Sequence, residues 1–217
     1  MALQSGSQAE ETIYSCRELK RAARLYRSGD AFNSIYFVRR GFFKTLKRRG
    51  DGRAQVTGFF MSGELLGMDG IAPNIYTCDA VALQDSEACV FSYVRLAEFS
   101  RRNESVQRQF HKAMGSEIER VQGLVALLGT RRAEERIALF LLNLSQRFAA
   151  RGYSPTEFVL PMTRDDIGSY LGLTIETVSR MLAMFQGAGL IRVESRHIQI
   201  RDSAGLRQTA GWTHSTK

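Results

Sequence analysis

The chain has 217 residues, of which 44% are hydrophobic and 24% charged, and this composition is typical of a globular protein with one or two domains. The formal net charge is +8, but the excess lies in Arg17–Arg53 (twelve basic and three acidic residues) rather than in residues 130–217 (twelve basic and eight acidic). Charge alone therefore does not identify a nucleic-acid-binding segment. No apolar run reaches the roughly 18 residues of a membrane helix, and the start MALQSGSQAEE lacks a signal-peptide pattern, so we expect a cytoplasmic protein without membrane contact.

The chain up to about residue 93 has the pattern of an antiparallel β-roll. Short β-rich runs alternate with glycine-containing turns. The turn Gly50-Asp51-Gly52 predicts a hairpin, because glycine tolerates the positive φ that tight hairpin turns need. We assign residues 1–97 to an N-terminal segment and this β-roll. Its clearest strands are predicted at 34–38, 42–46, 55–60 and 88–93.

A long helix is predicted from about residue 98 to residue 128. Its apolar residues recur at steps of four, three, four and three, which is the seam of a helix that packs against a similar helix. The same spacing would suit a helix lying on its own β-roll. We favour a homodimer, because a long helix between two compact segments is typical of a dimerisation helix, and we assign residues 98–130 to it. The seam residues are Met114, Ile118, Val121, Val125 and Leu128.

Residues 131–217 are predicted to form a winged helix-turn-helix. Thr163 is suited to cap one helix, Gly172 to supply the tight turn, and Thr174 to cap a second helix. The polar tail after Gly205 is expected to fray. The predicted elements are, in order, a helix (133–150), a short strand (158–160), two helices (164–171 and 175–186) and the two strands of a wing (191–194 and 197–201).

The outward side chains at the start of the second helix are of the types that read base edges. Arginine can donate twice to guanine, glutamate accepts from cytosine N4, and serine or threonine can bond to either kind of edge. Glu176 and Arg180 lie four residues apart and could instead form a surface ion pair. Their place at the reading end of a helix-turn-helix favours DNA contact. The predicted DNA-binding residues are Thr174, Glu176, Thr177, Ser179 and Arg180.

The run LxMTRxDIGxYLGLTxETxSRxLxxFQxxG, from Leu160 to Gly189, resembles the DNA-binding region of the CRP/FNR superfamily, and most closely its FNR and FixK branch. Shorter matches, such as AEER at 133–136 and GEL at 63–65, extend the resemblance over roughly residues 17–212. It implies an α+β fold with an N-terminal β-roll (a double-stranded β-helix of the cyclic-nucleotide-binding type), a long dimerisation helix and a winged helix-turn-helix. It also implies a transcription regulator, not an enzyme, that binds double-stranded DNA as a homodimer.

The resemblance also implies roles for particular residues. In the FNR-like branch the Glu-x-x-Ser-Arg signature, here Glu176, Ser179 and Arg180, reads a palindrome with TTGA-type half-sites. The family's activating loop, which contacts RNA polymerase, corresponds to the hairpin at Gly50 and Asp51. An activator with RNA polymerase as a second partner is therefore expected.

The resemblance leaves the signal open. Relatives that bind cAMP hold it through a Gly-Glu pair, matched by Gly63-Glu64, and through an Arg-Ser pair, but Tyr76-Thr77 stand where the arginine is needed. An oxygen-sensing FNR needs four thiolates, three of them clustered before the roll. Cys89 matches the fourth ligand, whereas Cys16 lies off the register of the trio. We expect neither cAMP, nor an iron–sulfur cluster, nor another metal.

The three cysteines, Cys16, Cys78 and Cys89, are too few and too scattered to predict a disulfide framework. We expect each to be an ordinary small residue. An alternative is a regulator in which a ligand of the roll, or a redox-active Cys16 or Cys89, controls DNA affinity. An enzyme built on the roll is disfavoured, because the sequence offers no ligand set and no pair of nucleophile and base.

Overall fold

The N-terminal unit contains two four-stranded antiparallel sheets. The computed structural model describes residues 14–48, 50, 52, 54–130 and 132–211. The chain consists of two compact units, Met1–Ile118 and Glu119–Lys217. The strands are β1 (Tyr14–Leu19), β2 (Arg24–Tyr26), β3 (Ser34–Arg40), β4 (Phe42–Arg48), β5 (Ala54–Met61), β6 (Leu65–Leu66), β7 (Asp79–Ala82) and β8 (Ser86–Ser92). Their orders are β1-β8-β3-β6 and β2-β7-β4-β5.

Alternating side chains produce the core of this roll. Phe43 and Thr45 of β4 are buried and alternate with the half-buried Phe42, Lys44 and Leu46, which is the period-two pattern of strands with one face against a core. The four predicted runs are confirmed as β3, β4, β5 and β8, except that β8 ends at Ser92. Four further strands were not predicted. β1 is exposed at five of its six residues and has no alternation to detect, and β2, β6 and β7 are two to four residues long.

Two helices replace the one helix predicted after the roll. They are α1 (Tyr93–Arg102) and α2 (Glu104–Thr130), and the chain breaks between them at Asn103, which has an extended backbone with φ −134°. The Asn103 side chain accepts a hydrogen bond from Val106 N at 3.2 Å. This is the capping interaction that opens a new helix. None of the helices in the described ranges is long and apolar enough to cross a bilayer.

The C-terminal unit packs helices on a small sheet. After α2, which crosses from one unit to the other, come α3 (Ala133–Ala149), β9 (Glu157–Val159), α4 (Arg164–Leu171), α5 (Ile175–Gly187), β10 (Ile191–Glu194), β11 (His197–Ile200) and α6 (Ser203–Thr209). The three strands are antiparallel in the order β10-β11-β9. The apolar face of α3 is buried, and its members are Ile137, Phe140, Leu141, Leu144 and Phe148.

The expectation that the tail frays after Gly205 is wrong for residues 206–209, because α6 lies there. Asp202 caps this helix by accepting a hydrogen bond from Gly205 N at 2.9 Å. Leu206 and Ala210 are both 0% exposed, and α6 packs against α3. Two apolar residues one turn apart are enough to hold a seven-residue helix on an existing core, but they are too few to form a recognisable periodic pattern.

Leu206→Ala should lower the free energy of unfolding of the C-terminal unit by about 2–5 kcal/mol, because it leaves a cavity under α6. Arg207→Ala, one residue further on an exposed position, should change it by less than about 0.5 kcal/mol. Urea titration followed by circular dichroism measures both. Equal, small effects from the two variants would mean that α6 is not docked on α3.

Candidate nucleic-acid interface

Reciprocal hydrogen bonds fix the start of α4. The Thr163 hydroxyl accepts from Asp166 N at 3.1 Å, and the Asp166 carboxylate accepts from Thr163 N at 3.0 Å and from the Thr163 hydroxyl at 2.8 Å. The cap at Thr163 was expected from the sequence, and the structure shows it as a capping box with Asp166. Asp166 is buried, and these bonds satisfy the carboxylate that burial would otherwise penalise.

The turn between α4 and α5 depends on two glycines. Gly172 ends α4 in the left-handed region, with φ 65°, where glycine carries no steric penalty. Gly168 faces the backbone of the turn, and Leu173 N donates to its carbonyl at 2.9 Å. A Cβ at Gly168 would lie 2.6 Å from the Leu173 carbonyl oxygen. The two helices can approach this closely only because no side chain intervenes.

The second helix, α5, presents the predicted residues on its outer side. Thr174 caps it by accepting from Thr177 N at 3.2 Å, and the buried stripe Val178, Leu182 and Phe185 holds it to the core. On the opposite side the predicted contact residues are exposed, apart from the half-buried Thr177. The exposed ones are Thr174, Glu176, Ser179 and Arg180. Their donors and acceptors are therefore accessible to a partner.

Glu176 and Arg180 do not form the surface ion pair that their spacing allows. Among the described residues no ion pair joins them. Glu176 instead lies at the start of α5, where hydrogen bonds from its own backbone N–H and from the Thr174 hydroxyl lower the pKa of its carboxyl. The group is consequently an ionised acceptor at neutral pH, and an acceptor is what cytosine N4 requires.

The wing is attached to both helices. Its strands β10 and β11 are joined at Ser195-Arg196, with Ser195 at φ 57°. Arg164 of α4 donates to the Ser195 carbonyl at 3.4 Å, and the Gln186 side chain of α5 accepts from Val193 N at 2.9 Å. These bonds link the tip and base of the wing to the first and second helices, so the three parts form one surface.

Sequence reasoning missed a structural role for Arg136. From the first turn of α3 its guanidinium donates to the Leu171 carbonyl at the end of α4 and to the Leu128 carbonyl near the end of α2, both at 2.9 Å. Helix ends leave such carbonyls without partners, and a cation there also interacts favourably with the helix dipole. Nothing local distinguishes this arginine from a solvated one, because both carbonyls are brought to it by the fold.

Comparison with known proteins agrees with these two units. A family model described as a Crp-like helix-turn-helix domain matches residues 135–209, and one described as a cyclic nucleotide-binding domain matches residues 16–103. The transcriptional regulatory protein btr of Bordetella pertussis is 44% identical over 202 residues, which cover 93% of this chain and 84% of that protein. The fumarate and nitrate reduction regulatory protein of Escherichia coli K12 is 38% identical over 208 residues, covering 96% of this chain and 83% of that protein.

The structure of FixK2 from Bradyrhizobium japonicum superposes with a TM-score of 0.82 at 28% identity, and the match covers 90% of this chain and 96% of that one. The chain belongs to the CRP/FNR family of transcription regulators. This confirms the expected family, its FNR and FixK branch and its fold, and it makes the chain a DNA-binding regulator rather than an enzyme.

The apolar residues of the predicted seam form a row along α2 of this CRP/FNR regulator. Much of that row is exposed to solvent. Ile118, Val121 and Val125 are 57%, 44% and 65% exposed, and Met114 and Leu128 are half-buried. Their exposure leaves an apolar face on α2 that is available to another surface.

In the roll, tyrosines stand where the resemblance required a cation. Tyr76 is buried and stacks on Tyr26 with ring centroids 4.1 Å apart, and Tyr36 lies 5.3 Å from Tyr26. The Tyr76 hydroxyl donates to the Ser34 carbonyl at 2.7 Å, and burial raises its pKa well above the usual range. A Cβ at Gly67 would come within 3.2 Å of the Tyr76 ring. Aromatic rings thus fill this part of the roll.

The Gly63-Glu64 pair serves the turn between β5 and β6. Gly63 has φ 91°, and the Glu64 carboxylate accepts from Met61 N at 3.1 Å. Gly50, the other turn residue with a predicted role, lies between β4 and β5 with open space where a Cβ would stand. Asp51, its predicted companion in contacting RNA polymerase, lies outside the described residues.

The expectation that each cysteine is an ordinary small residue is wrong for Cys16 and Cys89. Cys16 of β1 and Cys89 of β8 form a disulfide across 73 residues of sequence. The two positions face each other in the antiparallel pair β1–β8, a long-range register that sequence spacing does not reveal. Cys78 is the exception: it is buried, and its thiol donates to the Asp69 carboxylate at 3.2 Å.

Arg136→Ala should lower the free energy of unfolding of the C-terminal unit by about 2–4 kcal/mol, because two helix-end carbonyls lose a charged donor. Arg136→Lys should recover less than half of this loss, since one ammonium cannot reach both carbonyls as the guanidinium does. The exposed Arg201→Ala is the charge-matched control. Urea titration of the three variants measures these free energies of unfolding. An Arg136→Lys variant as stable as the native chain would contradict the bridging role of the guanidinium.

Proposed function

We propose that this regulator binds, as a homodimer, a palindrome with TTGA-type half-sites, and that each α5 reads one half-site. The observation that carries the proposal is that Glu176, Ser179 and Arg180 are exposed on the first two turns of a capped helix, and that no ion pair among the described residues joins Glu176 to Arg180. Residues at that end of a recognition helix are the ones that reach base edges. The match of these three residues to the signature of the FNR-like branch supports the half-site.

The chemistry of the three side chains suits the G·C pair of such a half-site. Arg180 can donate two hydrogen bonds to guanine, and Glu176, ionised at neutral pH, can accept from the paired cytosine N4. Ser179 lies beside Arg180 and can bond to either kind of base edge. With only a modest positive excess in residues 130–217, base contacts rather than general attraction to phosphate would supply the discrimination.

The exposed seam of α2 supports the homodimer. Ile118, Val121 and Val125 carry no charge, and covering them with the same face of a second copy removes aliphatic surface from water at roughly 25 cal/mol per Å², before the costs of association. A twofold dimer would present two copies of α5 to half-sites about one helical turn apart. The symmetry of a palindrome would then follow from the symmetry of the protein.

We also propose that the β4–β5 hairpin at Gly50 and Asp51 contacts RNA polymerase, which would make the protein an activator, and that it works in the cytoplasm, where its DNA target lies. The open space around Gly50 supports a hairpin that is accessible to a partner. A surface at this position would touch polymerase only when the dimer is bound next to a promoter.

Neither cAMP nor an iron–sulfur cluster is needed in this proposal. The buried stack of Tyr26, Tyr36 and Tyr76 lacks the cation that a cyclic phosphate requires. A cubane cluster needs four thiolates, whereas this sequence has three cysteines, two of them joined to each other. A regulator whose cysteines control DNA affinity is the second candidate, and the bond between Cys16 and Cys89 favours it.

Glu176→Ala and Arg180→Ala should each cost about 1–3 kcal/mol of discrimination at the G·C pair of the half-site, while non-specific affinity changes little. Binding to a TTGA palindrome and to its single-base variants, all at one salt concentration, measures this. Arg207→Ala removes a positive charge from an exposed position on α6 and should leave discrimination unchanged. If both α5 variants discriminate like the native chain, these residues do not read bases.

Val125→Glu should convert the dimer to a monomer, because it places two like charges in the seam. Ser116→Glu introduces the same charge at an exposed position of α2 away from the seam and should leave the dimer intact. Light scattering gives the mass of each variant. Dimers in both cases would place the interface elsewhere.

Protein purified in air should bind its DNA as a dimer without iron or sulfide, and calorimetric titration with micromolar cAMP or cGMP should show no saturable heat. The cysteine count leads to the first expectation, and the tyrosine stack in the roll leads to the second. Light scattering gives the mass of the protein, and iron analysis, sulfide analysis and visible absorbance test for a cluster. A monomer that dimerises only after anaerobic iron–sulfur reconstitution would contradict the first expectation, and stoichiometric heat of nucleotide binding the second.

A further inference from the structure

The bond between Cys16 and Cys89 lies at the edge of a sheet. β1 is the outermost strand in the order β1-β8-β3-β6, and five of its six residues are exposed. Its cross-strand ladder to β8 has three facing pairs on one side: Tyr14 with Phe91, Cys16 with Cys89, and Glu18 with Glu87. The first pair stacks at 5.1 Å, and in the third pair Glu18 lies opposite Glu87, whose carboxylate accepts from Arg39 at 2.9 Å. The central bond is the only covalent link in this ladder.

We propose that Cys16 and Cys89 form a reversible thiol–disulfide site that is oxidised by peroxides and reduced by dithiols, and that its state changes DNA affinity. The formation of the bond does not depend on the proposed function. Only its effect on DNA rests on that function. Disulfides in a compartment kept reducing by thioredoxin and glutathione are, when they form, mostly transient and sensory rather than structural.

The two cysteines differ in exposure, which assigns their roles. Cys16 is exposed and Cys89 is 4% exposed. The Cys16 thiolate attacks a peroxide oxygen, the O–O bond breaks, and Cys16 becomes a sulfenic acid while one water is released. Cys89 then attacks the Cys16 sulfur, the S–S bond forms and a second water leaves, so that two thiols and one hydrogen peroxide give one disulfide and two waters. Sensor cysteines are typically accessible and placed next to such a resolving thiol.

Cys78 lies outside this chemistry. It is buried, its thiol donates to Asp69, and burial is the main cause that raises its pKa far above the usual range. The thiolate is the reactive form of cysteine, so Cys78 should resist oxidation. Cys78 therefore serves as an internal control. If peroxide oxidised cysteines without selectivity, the free Cys78 thiol would be lost as well.

The bond is well placed to act on the rest of the roll. β8 runs directly into α1, where Tyr93 N donates to the Asn33 carbonyl at 3.0 Å and the Tyr93 ring lies 5.0 Å from Phe32. α1 in turn leads to α2 and its apolar seam. The disulfide ties the edge strand β1 to β8 and prevents it from fraying. The oxidised protein then loses less conformational entropy when it dimerises and binds DNA. Oxidation should therefore tighten DNA binding.

Full-length protein is reduced with dithiothreitol and desalted. It is then compared before and after treatment with stoichiometric hydrogen peroxide. Native protein should fall from three free thiols to one, peptide mapping should link Cys16 to Cys89 within one chain, and amides of β1 should exchange more slowly. Cys78→Ser should fall from two thiols to none. Cys16→Ser and Cys89→Ser should form no link within the chain. Peptide mapping of the native protein settles the same point if Cys78→Ser does not fold.

Affinity for the TTGA palindrome should rise about tenfold on oxidation, within the usual size of allosteric couplings, and return when dithiothreitol is added. Cys78→Ser should behave in the same way, whereas Cys16→Ser and Cys89→Ser should not respond. Failure of the bond to form, bonds only between chains, or equal or weaker DNA binding after oxidation would overturn the inference. A bond that forms in a protein with no specific DNA binding in either state would refute the proposed function and leave the thiol site standing.

Discussion

The DNA-facing surface depends on one close approach, that of Gly168 to the carbonyl of Leu173. With a Cβ only 2.6 Å from that oxygen, any other residue would push α4 and the turn apart. Because the turn holds Thr174, and Thr174 caps α5, a shift there moves the first turn of α5 directly. The capping box of Thr163 and Asp166 fixes the other end of α4, so the short helix acts as a rigid spacer. Base reading tolerates little displacement, since a hydrogen bond weakens steeply with distance and angle.

One side of α5 packs against the core, and the opposite side carries exposed polar side chains. Val178, Leu182 and Phe185 fix the helix from inside, and Arg136 joins the ends of α2 and α4 next to it. The outer side is left with side chains that have few partners of their own, which keeps their hydrogen-bonding capacity available. A stable surface would pair Glu176 with Arg180. The absence of that pair is consistent with a surface shaped for a ligand rather than for stability.

The sequence predicts the helix-turn-helix almost to the residue, because its signals are local. Thr163, Gly172 and Thr174 each define a helix end through bonds to residues within four positions. Most of the missed features depend on residues distant in sequence or on the absence of a pattern. β1 has exposed residues on both sides, α6 is recognised only by its contact with α3, and Cys16 meets Cys89 across 73 residues. Asn103 is the exception, since a capping residue inside an apolar period could have been detected locally.

Aromatic side chains occupy part of the interior of the roll. In a fold of the cyclic-nucleotide-binding type the interior is the natural place for a ligand, but here Tyr26, Tyr36 and Tyr76 occupy part of it, and the Tyr76 hydroxyl donates to the Ser34 carbonyl. Replacing those rings by a ligand would forfeit stacking and a buried hydrogen bond at once. A packed interior of this kind transmits displacement instead of absorbing it. A change at the edge, such as the joining of β1 to β8, therefore acts on a rigid body, and the strand it acts on is the one that continues into α1.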